Sequence, residues 1–124
     1  MSNLLMAKAF TAGGAINPYR IVRFSAADTV IQAAAATEAM FGVNTDLTIV
    51  SGERVEVMTH GIAWVEAGAA IALGLPVTAD SLGRGVAAAP AAGVNNRIIG
   101  FALDAAVAAG DQIRVLLSPG QIQG

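Results

Sequence analysis

Cysteine is absent from the 124 residues, so neither a disulfide framework nor a thiolate metal site can be built. Histidine occurs once, at His60, which leaves no His cluster for a metal and no second imidazole for proton relay. Aromatic side chains make up only 5% of the chain, with a single Trp and a single Tyr, so a surface of stacked rings for sugars has little to draw on. Charged residues are few, at 13%, and the net charge is −2. The seven Lys and Arg are scattered, and the concentrated basic face that a nucleic acid needs is missing. Long apolar runs are lacking too. The most apolar segment, Ala67 to Leu75, is broken by Gly and stopped by Pro76, short of the roughly 18 residues of a membrane span. The first residues carry no basic stretch before an apolar run, so no signal peptide and no membrane partner are expected.

What the chain does have is apolar residues, 55% in all, many of them small, together with 14 Gly. That composition excludes disorder and fits one domain whose thin side chains allow close backbone approach. The stretch Arg54-Val55-Glu56-Val57-Met58-Thr59 alternates polar and apolar, the period of a strand with one buried face. His60-Gly61 reads as a hairpin turn, and Ile62-Ala63-Trp64-Val65-Glu66 returns as a strand apolar on both registers. Such a strand is expected to be covered on both faces, inside a sandwich or barrel or against another chain.

Further short strands are expected at Tyr19–Phe24, Thr29–Gln32, Leu75–Thr78, Val86–Ala89, Arg97–Leu103 (with a bulge at Gly100) and Ile113–Leu117. Turn residues separate them, notably Asp80-Ser81-Leu82-Gly83-Arg84-Gly85. Ala33 to Met40 has high helix propensity, but it is short and has no clear cap. The fold class that follows is all-β: a small β-sandwich or barrel of short antiparallel strands. Sliding the sequence on itself by 58 positions, the distance from Pro18 to Pro76, lays Gly42 on Gly100, Asp46 on Asp104, Gly52 on Gly110 and Val57 on Val115. Two pseudo-repeats, 4–61 and 62–119, are therefore expected. The same shift sets Gln32 on Pro90, which turns the first Ala run from helix toward strand end and loop. Around the repeats lie residues 1–12, an N-terminal arm or first strand, a β domain over 13–119, and a polar tail over 120–124.

Chemistry is hard to find. His60 lacks a positioned nucleophile or carboxylate, and no Gly-x-Ser-x-Gly elbow occurs. The acids are singletons, and Asp46, Glu53, Asp104 and Asp111 read as turn and strand-start residues bonding nearby N–H groups, with a bound cation as the other use. Gly13-Gly14 and Gly83-Arg84-Gly85 lack the spacing of a phosphate loop. No catalytic residue, cofactor or metal is expected, and Trp64 reads as core or interface filling.

The run Ala12-Gly13-Gly14-Ala15-Ile16-Asn17-Pro18-Tyr19-Arg20-Ile21-Val22 resembles the opening of the tailed-phage head-decoration, or capsid cement, proteins. So do Gly52-Glu53-Arg54-Val55-Glu56-Val57, Gly61-Ile62-Ala63, Gly83-Arg84, Ile98-Ile99-Gly100-Phe101-Ala102, and the close from Gly110-Asp111 to Pro119-Gly120. The likeness covers about Ala7 to Gly124 and rests on the order and spacing of small pieces. It implies a non-enzymatic virion protein, assembled in the host cytoplasm, that binds the outside of an icosahedral capsid and stabilises it against internal DNA pressure. The implied partners are the major capsid protein and further copies of the chain, as a homotrimer or a dimer. On that reading Asn3, Leu4, Leu5, Met6, Lys8 and Phe10 are expected to contact the shell or a neighbouring copy, by strand addition, or else to form an ordinary first strand. Ile62, Trp64, Leu116 and Leu117 are the candidates for subunit packing. A tail or head-completion component is the alternative, followed by a carbohydrate or host-surface binding module.

Overall fold

The computed structural model describes residues 6–90 and 92–123. Ten strands follow in order: β1 (Met6–Ala12), β2 (Ile21–Ala26), β3 (Thr29–Gln32), β4 (Met40–Asn44), β5 (Arg54–His60), β6 (Ile62–Glu66), β7 (Pro76–Ala79), β8 (Gly85–Ala87), β9 (Asn95–Ala102) and β10 (Gln112–Gln123). No helix occurs among the described residues. Residues 33–39 are loop, with the Glu38 carboxylate accepting from the N–H groups of Ala34 and Ala35, and Met40 opens β4. The fold is all-β, as the alternation and turn spacing require.

The first five strands close into a barrel in the order β1-β3-β2-β4-β5, with β5 returning to β1. The last five form an open sheet, β6-β10-β9-β7-β8. All pairs are antiparallel except β1 with β3. Strand alternation lets one barrel wall serve two interiors. Val22 faces the barrel lumen with Phe10, Ile16, Val30, Val55 and Val57, while its neighbour Ile21 joins Met40 and Val43 in the core beneath the second sheet. Each fully buried Val or Ile there contributes about 1.5–3 kcal/mol over its exposed state.

The two sheets have the same pairing order and matching registers. Phe10 opposite Val55 corresponds to Val65 opposite Ile113, Val22 opposite Gly42 to Val77 opposite Gly100, and Asn44 opposite Val57 to Ala102 opposite Val115. A parallel bridge from Ala67 to Gly85 stands where β1 meets β3. The matched glycines have matched reasons. A Cβ on Gly42 would crowd the Met58 carbonyl, and one on Gly100 would collide with that of Leu116. Gly52 and Gly110 both turn with positive φ, 90° and 96°.

Several expectations need correction. The single offset of 58 holds for β4 and β5 against β9 and β10. The first three strands follow an offset of 55, as from Val22 to Val77, so Ile21 rather than Pro18 matches Pro76 and Gln32 matches Ala87. Gly61 is not a hairpin turn: β5 pairs with β1 and β4 while β6 pairs with β10, and Gly61 (φ 91°) carries the chain from one sheet to the other. The irregularity expected at Gly100 does adjoin it, but the extra residue is in the partner strand: Leu117 pairs with Gly100 and Gly120 with Ile98, so β10 carries the bulge. Pro119 has no N–H to give a ladder and falls inside that break. Pairing then resumes through Gln121 with Arg97 and Gln123 with Asn95, so residues 120–123 continue a strand rather than form a tail.

Candidate interaction surface

Among the described residues no group of three or more His, Asp or Glu is placed to hold a metal ion. His60 is exposed, with Nδ1 3.2 Å from the Thr59 hydroxyl. The acids behave mostly as turn residues. Glu53 accepts from the Val50 N–H, and Asp111 accepts from those of Val107 and Ala108, each reaching back three or four residues. Five carboxylates pair with arginine: Glu66 with Arg20, Glu38 with Arg23, Asp28 with Arg54, Asp80 with Arg84 and Asp104 with Arg114. Hydrogen bonds from the Arg114 guanidinium and then its backbone N–H hold Asp104 down at about 2 and raise Arg114 in turn.

The informative feature is apolar. The inward side chains of β6 and β10 (Ala63, Val65, Ile113, Val115, Leu117) fill the core, which turns Ile62, Trp64 and Leu116 outward by the period-two rule. Leu116 lies in register with Ile62 on one side and Phe101 on the other, and Phe101 with Pro76 beyond it. A single cross-strand row, Ile62–Leu116–Phe101–Pro76, thus crosses four strands of the open sheet. Trp64 flanks it at 49% exposure, against 43% for Leu116 and 39% for Phe101. Folding of a single copy leaves this apolar row partly exposed.

At the Trp64 end the surface dips into a hollow of about 220 Å³ lined by Tyr19, Thr45, Asp46, Met58, Ile62 and Trp64. The only Trp and the only Tyr of the chain therefore share one site. Tyr19 sits in the left-handed region at φ 59°, a conformation costly for a side chain with a Cβ. It is held there because its N–H donates to the Thr45 carbonyl and its own carbonyl accepts from the Glu66 N–H. Behind it the Asn44 amide nitrogen donates to the carbonyls of Asn17 and Leu47, and its side-chain oxygen accepts from the Thr45 N–H. The buried amide thereby fixes the loop that carries Asp46. Among the described residues the Asp46 carboxylate has no hydrogen-bond or ion-pair partner.

The sequence candidates divide. Asn3, Leu4 and Leu5 lie outside the described residues. Met6 and Lys8 belong to β1, whose backbone pairs with β5 in the barrel wall. Phe10 is corrected from contact to core: at 5% exposure it packs edge-on against Phe24 and Phe41. Leu117, at 8%, is likewise core, because its register points under the sheet. Ile62, Trp64 and Leu116 come together on one face, where β6 is left uncovered within a single copy. Phe101, Pro76 and Tyr19 were missed as surface residues. Phe101 carried a readable signal, since strand alternation sets it on the face opposite to Gly100 and Ala102.

The sequence model for phage cement proteins matches residues 6–117. None of the curated proteins matches the chain. Among solved structures, the crystal structure of the N base of the head fiber gp8.5 in bacteriophage phi29 superposes with a TM-score of 0.69 at 20% identity, covering 93% of this chain and 95% of that one. At that identity the likeness is one of fold.

Proposed function

Because the chain belongs to the phage cement protein family and is thus a capsid-associated structural component of a virion, we propose that it binds the outer surface of the icosahedral head as a homo-oligomer and reinforces it against internal DNA pressure. The observation that carries this reading is the in-register apolar row Ile62–Leu116–Phe101–Pro76 with Trp64 beside it, a contiguous, partly exposed strip across four rigid strands. Rigid strands present that strip without further ordering cost, which favours binding. The major capsid protein is the partner, and a trimer spanning neighbouring shell subunits multiplies modest contacts through effective concentration. The role is mechanical: no reaction and no cofactor enter it. The head fiber base of phi29, a protein of a phage head by its name, supports the same setting through its fold.

Adding the purified protein to heads that lack it tests the proposal. Binding in numbers near those of the major capsid protein, with DNA retained to higher temperature, is expected. A few copies per particle would instead make the chain a head-completion or tail component.

A further inference from the structure

Register equivalence between the two sheets exposes an electrostatic asymmetry. Asp104 and Arg114 form a two-pronged ion pair in the second half. At the corresponding places in the first half stand Asp46 and Glu56, so the arginine is replaced by a second acid. Asp46 is left without a cation at the rim of the hollow. The neighbouring Glu66 cannot draw on a free base, being already engaged by Arg20 at 3.3 Å. Arg114 lies opposite Trp64 in register but is committed to Asp104. The hollow therefore presents a carboxylate, two aromatic side chains and the apolar Met58 and Ile62. That set suits a guanidinium on an aliphatic stem: aromatic faces attract the planar cation, the carboxylate pairs with it, and the apolar wall takes the methylenes.

One arginine in the chain matches the vacancy. Of the described arginines, Arg20, Arg23, Arg54, Arg84 and Arg114 are ion-paired, and Arg97 is not. Arg97 is half-buried near the start of β9, opposite Gln121, with its backbone N–H tied to the Ala36 carbonyl at 2.7 Å. It lies four residues along β9 from Phe101, beyond the apolar row that separates it from the hollow. We propose that the hollow receives the Arg97 side chain of a second copy of this chain, with Asp46 as its ionic partner and Trp64 and Tyr19 as its aromatic walls. Such a contact is made either twice, reciprocally across a two-fold axis, or once per copy around a closed ring, and the mass at sedimentation equilibrium separates the dimer from the ring. The inference rests on the homo-oligomer reading above and supplies its contact.

Charge reversal tests it on the full chain. Asp46→Arg, Arg97→Asp and the double variant are compared by sedimentation equilibrium and by the concentration dependence of the emission of the sole Trp, with circular dichroism as the check on fold. Each single reversal is expected to weaken self-association by about tenfold or more, and the double variant to recover most of the loss. A wild-type protein that stays monomeric at every concentration overturns the inference, as do single variants that associate normally or a double variant that recovers nothing. Asp46→Arg weakening attachment to heads with self-association unchanged would give the cation to a shell subunit and overturn the second-copy assignment. Wild-type protein that does not attach to heads at all would overturn the function beneath it, a separate result.

Discussion

Asp104 grips Arg114 at both ends of its carboxylate, with Nε and Nη2 each 2.9 Å from a different oxygen. The Arg114 backbone N–H adds a third bond, also 2.9 Å, so one side chain fixes both the loop after β9 and the start of β10. The grip favours the charged carboxylate, which is why Asp104 titrates near 2 rather than at its ordinary 3.8. A carboxylate depressed by folding stabilises the fold fully above its unfolded value and loses that contribution as pH falls through the folded one. The expected window is thus from about 4 down to about 2. Carboxyl titration by NMR should place Asp104 near 2, and Arg114→Gln should return it toward 3.8.

The matched glycines Gly42 and Gly100 allow a paired test. Gly42→Ala and Gly100→Ala each press a methyl against a backbone carbonyl that cannot swing aside. Losses of about 1–3 kcal/mol are expected in urea unfolding, as for overpacked cores. Gly52→Ala and Gly110→Ala meet open space, so only the positive φ penalises them, by roughly 1 kcal/mol. Equal losses at all four positions would remove the steric distinction.

Residues 3–10 offered two readings, arm or strand, and β1 now lies in the barrel wall with Phe10 in its core. Phe10→Ala should cost about 3–5 kcal/mol in denaturant titration. Removal of residues 3–10 should abolish cooperative unfolding, since it opens the barrel. A truncated chain that unfolds cooperatively would return the segment to the role of an arm.

Substitutions on the outward row should separate binding from folding. Leu116→Asp and Phe101→Ser lie at 43% and 39% exposure, where most changes alter stability by less than about 0.5 kcal/mol. Their attachment to heads, read by co-sedimentation, should fall by about tenfold or more if they stand at the centre of the contact.

Much of this fold was legible in local chemistry. The alternating Arg54–Thr59 stretch lies in β5, Thr29–Gln32 and Ile62–Glu66 are strands as expected, and the Asp80–Gly85 turn is made by the Asp80 carboxylate accepting from the N–H groups of Leu82 and Arg84. Pairing was not legible, because period two does not say which neighbour a strand chooses. Gly61 shows this: a turn residue by chemistry, it joins two sheets rather than two paired strands. The repeat shift failed in its first half for a similar reason, since the stretch from Ala87 in β8 to Gly100 in β9 is three residues longer than that from Gln32 in β3 to Gly42 in β4, and the difference leaves no mark in an Ala-rich sequence. On the surface, Ile62, Trp64 and Leu116 could be picked out, but the row needed Phe101 and Pro76, which only register brings beside them. Asp46 looked like the other turn acids until the pairing set Glu56 where its counterpart has Arg114.

Electron cryo-microscopy of heads carrying the protein tests the capsid-binding role most directly. Density for the ten-stranded body should sit on the outside of the shell, with Trp64, Phe101 and Leu116 covered by shell subunits or neighbouring copies. Particles whose outer surface lacks that density, or which hold the chain with this face open to solvent, would contradict it.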